Sequence, residues 1–444
     1  MTDAKQATAA EPQWAAFVAM DWADKKHFWR LAPADGGQQE YGEIESTPEA
    51  VDAWATGLSV RFGGRPIAVC VEQSKGALVY MLAKYAHLVL FPVHPKTAAQ
   101  YRETFCPSGA KSDPRDTASL LDLLLRHRER LRSLPPDTPQ TRLLRSLVEG
   151  RRLLVNEKTR QKNRLTASLK MYFPQILQWF DQVDSPLVGD LLQRWPTLPE
   201  LKRSHPGTLK KFFLEHNCRG EERIQERIAA IYKAMPATED EAIVVGESVK
   251  ARALVELLAV LRCQIAEYDR RIAELVAVHP DSSLFASLPG AGEVLIPRLI
   301  AAFGTRRERF DRAYEVQCLS GIAPVTEKSG KTEWVHFRWA CPKFLRQTFH
   351  EFAAHSIGSS GWAEAYYRVE RENNKSHHAA VRSLAYKWIR IIFWCWKDGK
   401  PYDEQTYLQA LKRTGSPLID RLQLDTQGKW KPVAGFQKFS ALPS

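Results

Sequence analysis

Hydrophobic and polar positions divide the chain into three stretches with different periods. Over residues 1–125, short apolar runs alternate with helical patterns. "WAAFVAMDW" is an apolar run ending in Asp21, and "HFWRLAP" resumes as a strand after a charged turn. "RPIAVCVEQ" is a β-branched strand closed by Glu72, and "HLVLFPVHP" is another buried strand. "GALVYMLAKYA" and "TAAQYRETF" read as helices. Such alternation predicts an α/β domain, a mixed or parallel sheet covered by helices.

From 126 to 280 the period becomes 3.6. "TRLLRSLVEGRRLLVNEKTRQKNRLTASLKMYF" and "SVKARALVELLAVLRCQIAEYDRRIAELVAVH" predict long amphipathic helices of coiled-coil type, a helical spacer suited to oligomerisation. Residues 281–444 predict a compact, mostly helical domain. Its features are two helices joined by a Pro-Gly-Ala-Gly turn, a loop around Lys328–Lys331, a long helix after Cys341 and an apolar core helix in "KWIRIIFWCW". The last thirty residues read as an irregular tail.

The acidic positions matter because of where they fall. Asp21 and Glu72 end strands, and "KSDPRDTASLL" opens a helix with Asp113 and Asp116. Active sites of open α/β sheets gather outside the carboxyl ends of strands. Residues i and i+3 share a helix face. Four carboxylates in one place repel one another unless cations neutralise them, and hard divalent ions such as Mg²⁺ or Mn²⁺ take oxygen ligands. Two such ions would serve phosphoryl transfer. The structural alternative is helix capping by Asp with Pro in the first turn, a turn cap at Asp21 and a lysine pair at Glu72.

Composition narrows the partners. The chain has 444 residues, 44% hydrophobic, with net charge +12. A basic balance suits a polyanion such as nucleic acid. The seven cysteines have no CxxC spacing, which argues against a zinc knuckle or disulfide framework. No run reaches the ~18 apolar residues of a membrane span, so the expected setting is soluble, reducing and cytoplasmic.

Between Arg126 and Lys170 there are thirteen Lys or Arg against four Asp or Glu. Arg151, Arg152, Lys158, Arg160, Lys162 and Arg164 recur without aromatic interleaving, a pattern of backbone phosphate contact or of a solvated helix face. "LPGAGEVL" resembles a helix–hairpin–helix turn that offers amides to a phosphate or a plain helix–turn–helix packing unit, and Arg306 and Arg307 add charge just after it. "GIAPVTEKSGKTEW" is not a P-loop, because Val325 stands where that motif needs Gly. Ser329, between Lys328 and Lys331, can be a phosphate-binding turn or a nucleophile, and the latter needs an activating base or metal from elsewhere.

"AMDWADKKH", "CVEQSKGALVYML", "GAKSDPRDTASLL", "LPGAGEVLIPRLIAAFG" and "GIAPVTEKSGKT" occur in the order found in DEDD-type transposases of the insertion-sequence 110 family, related to the Piv invertase. The chain resembles that family over most of its length. The resemblance implies an RNase H-like, Holliday-resolvase-like domain at 1–125, a coiled-coil spacer at 126–280 and a transposase domain with the serine loop at 281–444. It implies Asp21, Glu72, Asp113 and Asp116 as Mg²⁺ ligands and Ser329 as a nucleophile held covalently to cut DNA. It further implies a bacterial, nucleoid-associated homo-oligomer (dimer or tetramer) that acts on element ends and target DNA. A structured guide RNA would direct it, with one protomer's carboxylates meeting another's serine. Lys111 joins the nucleic-acid contacts, and "HFRWACPKFLRQTF" stands where relatives carry Lys-x-Gly, with Arg338 and Lys343 as candidate substitutes. The rival readings are a metal nuclease without a covalent step and a non-catalytic nucleic-acid-binding relic.

Overall fold

The computed structural model describes residues 13–72, 75–105, 112–134, 136–425 and 430–433. Lys111 lies outside the described residues. The chain divides at Pro136/Asp137 into two compact units.

The first unit is built on a sheet of five strands: β1 (Ala16–Asp21), β2 (Lys26–Pro33), β3 (Glu40–Glu45), β4 (Ile67–Val71) and β5 (Leu88–Pro92). Their order is β3-β2-β1-β4-β5, with β1–β2 and β2–β3 antiparallel and β1–β4 and β4–β5 parallel. All five residues of β4 are buried, as expected of a β-branched run covered on both faces. β3 carries Glu40, Glu43 and Glu45 on a sheet edge, where charge discourages pairing with another chain. Its polarity is why the apolar pattern misses it.

Four helices cover the sheet: α1 (Pro48–Arg61), α2 (Ala77–Leu82), α3 (Pro95–Phe105) and α4 (Asp113–His127). Thr47 caps α1, its hydroxyl accepting from Ala50 N at 3.3 Å. Val18, Met20, Ile67, Val69 and Val71 pack on one side against Val51, Ala55, Leu78 and Leu82 of α1 and α2. Ala19, Ala68, Cys70 and Phe91 pack on the other against Leu120, Leu121 and Leu124 of α4. Each such leucine contributes about 1.5–3 kcal/mol by leaving water, so α4 is pinned to that face.

The second unit begins with α5 (Pro139–Tyr172), continues through short helices α6 (Gln175–Trp179), α7 (Pro186–Arg194), α8 (Leu198–Lys202), α9 (Pro206–Glu215) and α10 (Glu221–Lys233), and returns along α11 (Glu241–Ala277). α5 and α11 are antiparallel. Arg151 meets Asp269, whereas Ser168 donates to Glu247 Oε2 at 2.6 Å. The apolar stripe Ala251, Leu254, Val255 and Leu258 is therefore buried within the chain, against α5 to α10. At the other end Leu144, Val148 and Ile272 join a second core.

That core belongs to α12 (Ser282–Ala286), α13 (Leu295–Phe303), α14 (Ala313–Leu319), α15 (Lys343–Ser356), α16 (Gly361–Glu372), α17 (His377–Asp398) and α18 (Glu404–Arg413). Trp388, Ile389, Ile392, Phe393 and Trp396 of "KWIRIIFWCW" are fully buried in it. The loop expected around Lys328–Lys331 is the tip of an antiparallel hairpin, β6 (Pro324–Ser329) and β7 (Thr332–Phe337). The hairpin is mostly exposed, so no burial signal marks it as strand. In the tail, β8 (Leu422–Leu424) pairs with β9 (Trp430–Pro432).

Candidate active site

β1 and β4 run parallel in a register that pairs Met20 with Val71. One residue further, Asp21 at the end of β1 stands beside Glu72, directly after β4. Neighbouring strands lie ~4.8 Å apart and successive residues alternate between faces. Asp21 and Glu72 thus share one end of the sheet and the face that Ala19 and Cys70 present to α4. Cys70 senses its neighbour: burial, and next the Glu72 charge, push its thiol up to about 12.

α4 begins close to that end. Arg30 on β2, opposite Ala19, donates through Nη2 to Pro114 O at 3.4 Å. Ser112 holds the N-cap position, so Asp113 and Pro114 are the first two helical residues and the expected Asp cap is displaced by one. Asp113 is exposed. Asp116 is 3% exposed, and its Oδ1 lies 2.6 Å from Nη1 of Arg102 on α3. The two acids therefore differ in environment although they share a turn. Arg102 and Arg30 carry no signal in the sequence pattern; they emerge only once α3, α4 and β2 are packed.

Among the described residues, no three His, Cys, Asp or Glu side chains gather closely enough to hold a metal ion. The donor chemistry still suits a hard cation. Asp21 and Glu72 adjoin and offer only oxygen, and Arg102 supplies at Asp116 the positive charge that a cation would bring.

Ser329 belongs to the second unit. It is the last residue of β6, exposed, and pairs with Thr332 across a two-residue turn. Gly330 adopts φ +58° at the first central position, as a type II′ turn demands. Lys328 lies 3.8 Å from Glu333, and Lys331 is exposed at the tip.

Most of the expected phosphate-contacting cations on α5 are engaged within the unit. Arg151 pairs with Asp269, Arg152 with Glu351 at 3.3 Å and Arg160 with Glu157. Lys158 and Lys162 both hold Asp184, at 2.9 and 3.2 Å. Burial pushes the Asp184 carboxyl up, but these two ammonium groups outweigh it and hold it below the usual range. Arg164 donates to Gln161 Oε1 at 3.3 Å. Arg307 grips Asp281 with both nitrogens and lies over the Trp396 ring, whereas Arg306 is exposed. Arg338 is half-buried, with Nη2 3.8 Å from Cys318 Sγ. In "LPGAGEVL", Gly290 has φ +80°, and a Cβ there would come within 2.9 Å of the His355 backbone. That glycine is required for the turn to pack on α15.

Comparison with known proteins gives the class, a transposase. A family model for DEDD transposases of IS110 type matches residues 18–174, and one for the IS116/IS110/IS902 transposase family matches 282–368. The protein named as the mini-circle transposase for IS117 of Streptomyces coelicolor is 27% identical over 418 residues, 88% of this chain and 95% of that one. The IS110 insertion-element protein of the same organism is 24% identical over 354 residues, covering 78% and 85% of the two chains. The IS900 insertion-element protein of Mycobacterium paratuberculosis is 25% identical over 413 residues, 90% and 100%. The chain belongs to the IS110 family of insertion-sequence transposases. No helix among the described residues is long and apolar enough to cross a membrane.

Proposed function

We propose that the chain is a recombinase that cuts and rejoins DNA strands through a serine-linked intermediate, with Asp21, Glu72, Asp113 and Asp116 as its acidic centre. The observation that carries this reading is the β1/β4 register, which sets Asp21 beside Glu72 at the carboxyl ends of parallel strands, under a helix that opens with Asp113 and Asp116. The strand order supports an RNase H-like reading of the first unit.

In the proposed reaction, the Ser329 hydroxyl attacks a DNA phosphorus. Its proton passes to a carboxylate, one P–O bond of the backbone breaks, and a DNA hydroxyl leaves. A hydroxyl on another strand then attacks the serine phosphodiester and frees Ser329. The number of phosphodiester bonds is conserved, so no external energy is needed. Mg²⁺ or Mn²⁺ held by the four acids would lower the pKa of the attacking group and offset charge on the leaving one. Asp116 would exchange Arg102 for that ion. The carboxylates and serine of different protomers would complete one centre. Val245, Val249, Leu257 and Val260 remain exposed on α11, within about 120° of arc at 3.6 residues per turn, and supply a face for self-association. The net charge of +12 suits DNA together with an element-encoded guide RNA. Because most of the expected α5 cations are already paired, phosphate contact falls first to Arg306 and Lys331, and next to Lys328, which Glu333 holds only at 3.8 Å.

The test is a cleavage assay with Mg²⁺, element-end DNA and co-transcribed flanking RNA, comparing wild type with Ser329→Ala on a denaturing protein gel. A labelled protein–DNA adduct that vanishes in the variant is expected. Cutting by both proteins without an adduct would leave a metal nuclease instead.

A further inference from the structure

The β6–β7 hairpin carries more than its serine. Strand alternation puts Glu327 and Ser329 of β6 on the same face as Thr332, Trp334 and His336 of β7. The His336 ring centroid is 4.3 Å from that of Trp334, with planes 31° apart, and 5.3 Å from that of Trp339. Its Nδ1 is 2.9 Å from Phe337 O and its Nε2 is 3.0 Å from Glu327 Oε1, which fixes the imidazole between the two indoles. The indoles themselves are uncovered: Trp334 is 52% and Trp339 64% exposed. A buried role cannot explain aromatic surface held out by a polar clamp.

The charge around this ladder is positive. Arg346 and Arg382 lie over the Phe337 ring, at 5.5 and 5.7 Å, and Trp339 packs edge-on against that ring. Arg338 and Lys331 flank the ladder along the chain. The hairpin's acids are already engaged, Glu327 by His336 and Glu333 by Lys328. Aromatic faces bordered by guanidinium and ammonium groups match single-stranded nucleic acid, whose bases stack while its phosphates pair with cations.

We infer that Trp334, His336 and Trp339 form a stacking platform for unpaired bases of the DNA strand that Ser329 addresses. The identity of that strand rests on the recombinase reading; the stacking itself does not. Ser329 and Trp334 share a face a few residues apart, so a base stacked on Trp334 would hold the adjacent phosphate near the hairpin tip and keep the strand open.

Fluorescence anisotropy tests this with the full-length protein, a labelled single-stranded oligodeoxynucleotide, the same sequence as RNA, and its duplex. Trp334→Ala and Trp339→Ala should each weaken single-stranded DNA binding about tenfold, with Phe restoring most of the loss. The slope of log Kd against log salt should stay unchanged, because no charge is removed, and duplex binding should change little. Anisotropy reads binding without strand cleavage, so a failed adduct assay leaves this result standing. Single-strand binding unaffected by both alanine variants would overturn the inference. So would equal loss for duplex, a loss confined to the RNA, or a loss that tracks altered sedimentation of the protein.

Discussion

The acidic end of the β1–β4 sheet and the tip of the β6–β7 hairpin hold the two halves of the proposed chemistry by opposite means. In the first, packing fixes the side chains: strand register sets Asp21 and Glu72, and four buried leucines seat the helix bearing Asp116. In the second, a turn fixes them: Ser329 is exposed, and its position depends on one glycine and a two-residue connection. A substitution among the acids therefore disturbs fold and chemistry together. One at the hairpin tip reads chemistry almost alone.

The largest expected difference follows from Arg102 and Asp116, whose side chains are 14% and 3% exposed. Arg102→Ala strands a buried carboxylate and should cost about 3–5 kcal/mol, read by urea unfolding. Adding Asp116→Asn should return much of it. Ser329→Ala should change stability by no more than about 0.5 kcal/mol while removing the covalent adduct. Equal stability losses for Arg102→Ala and Ser329→Ala would erase the contrast between the two regions.

A smaller effect sharpens the contrast at the tip. Gly330 has φ +58°, and nothing lies within 4 Å of an added Cβ, so substitution there meets backbone strain rather than a clash. Gly330→Val should cost roughly 1–2 kcal/mol locally, and Gly330→Asn less. Adduct formation should fall in that order while the urea midpoint barely moves. If Val and Asn behave alike, the turn does not set the serine.

The same contrast explains what the sequence discloses. β1, β4, β5 and α4 are buried, and burial writes a hydrophobic period into the chain, so their terminal acids could be placed beforehand. The β3 edge and the β6–β7 hairpin are exposed and leave no such trace, although "EWVHFRW" alternates aromatic residues at Trp334 and His336. Ion-pair partners are hidden further, because Arg102–Asp116 and Lys158–Asp184 depend on which helices meet. The run of cations on α5 reads as a phosphate-contacting surface or a solvated helix face, and the sequence does not show that Arg151, Arg152, Lys158, Arg160 and Lys162 pair with acids of the same unit. The long α11 stripe suggested a coiled coil and found its partner in α5 of the same chain, since a period alone does not say which helix covers it.

Two histidines carry the comparison into pH. Burial alone pushes His27 on β2 below its ordinary value. Its folded pKa is therefore under the unfolded one, so its contribution is present above about pH 6.5 and is lost as pH falls through the folded value. His336 moves the opposite way: the Phe337 carbonyl, and next Glu327, raise it against a small opposing effect of desolvation. Its contribution is complete below about pH 6.5 and is lost as pH rises through the raised value. Mild alkali should thus loosen the hairpin while sparing the sheet, and mild acid should do the reverse. NMR titration of the two imidazoles checks both signs, with Glu327→Gln expected to return His336 toward its ordinary value and leave His27 unmoved. Were His336 to titrate normally in the wild type, the clamp between the two indoles would not exist in solution, and the stacking platform would lose the element that holds it open.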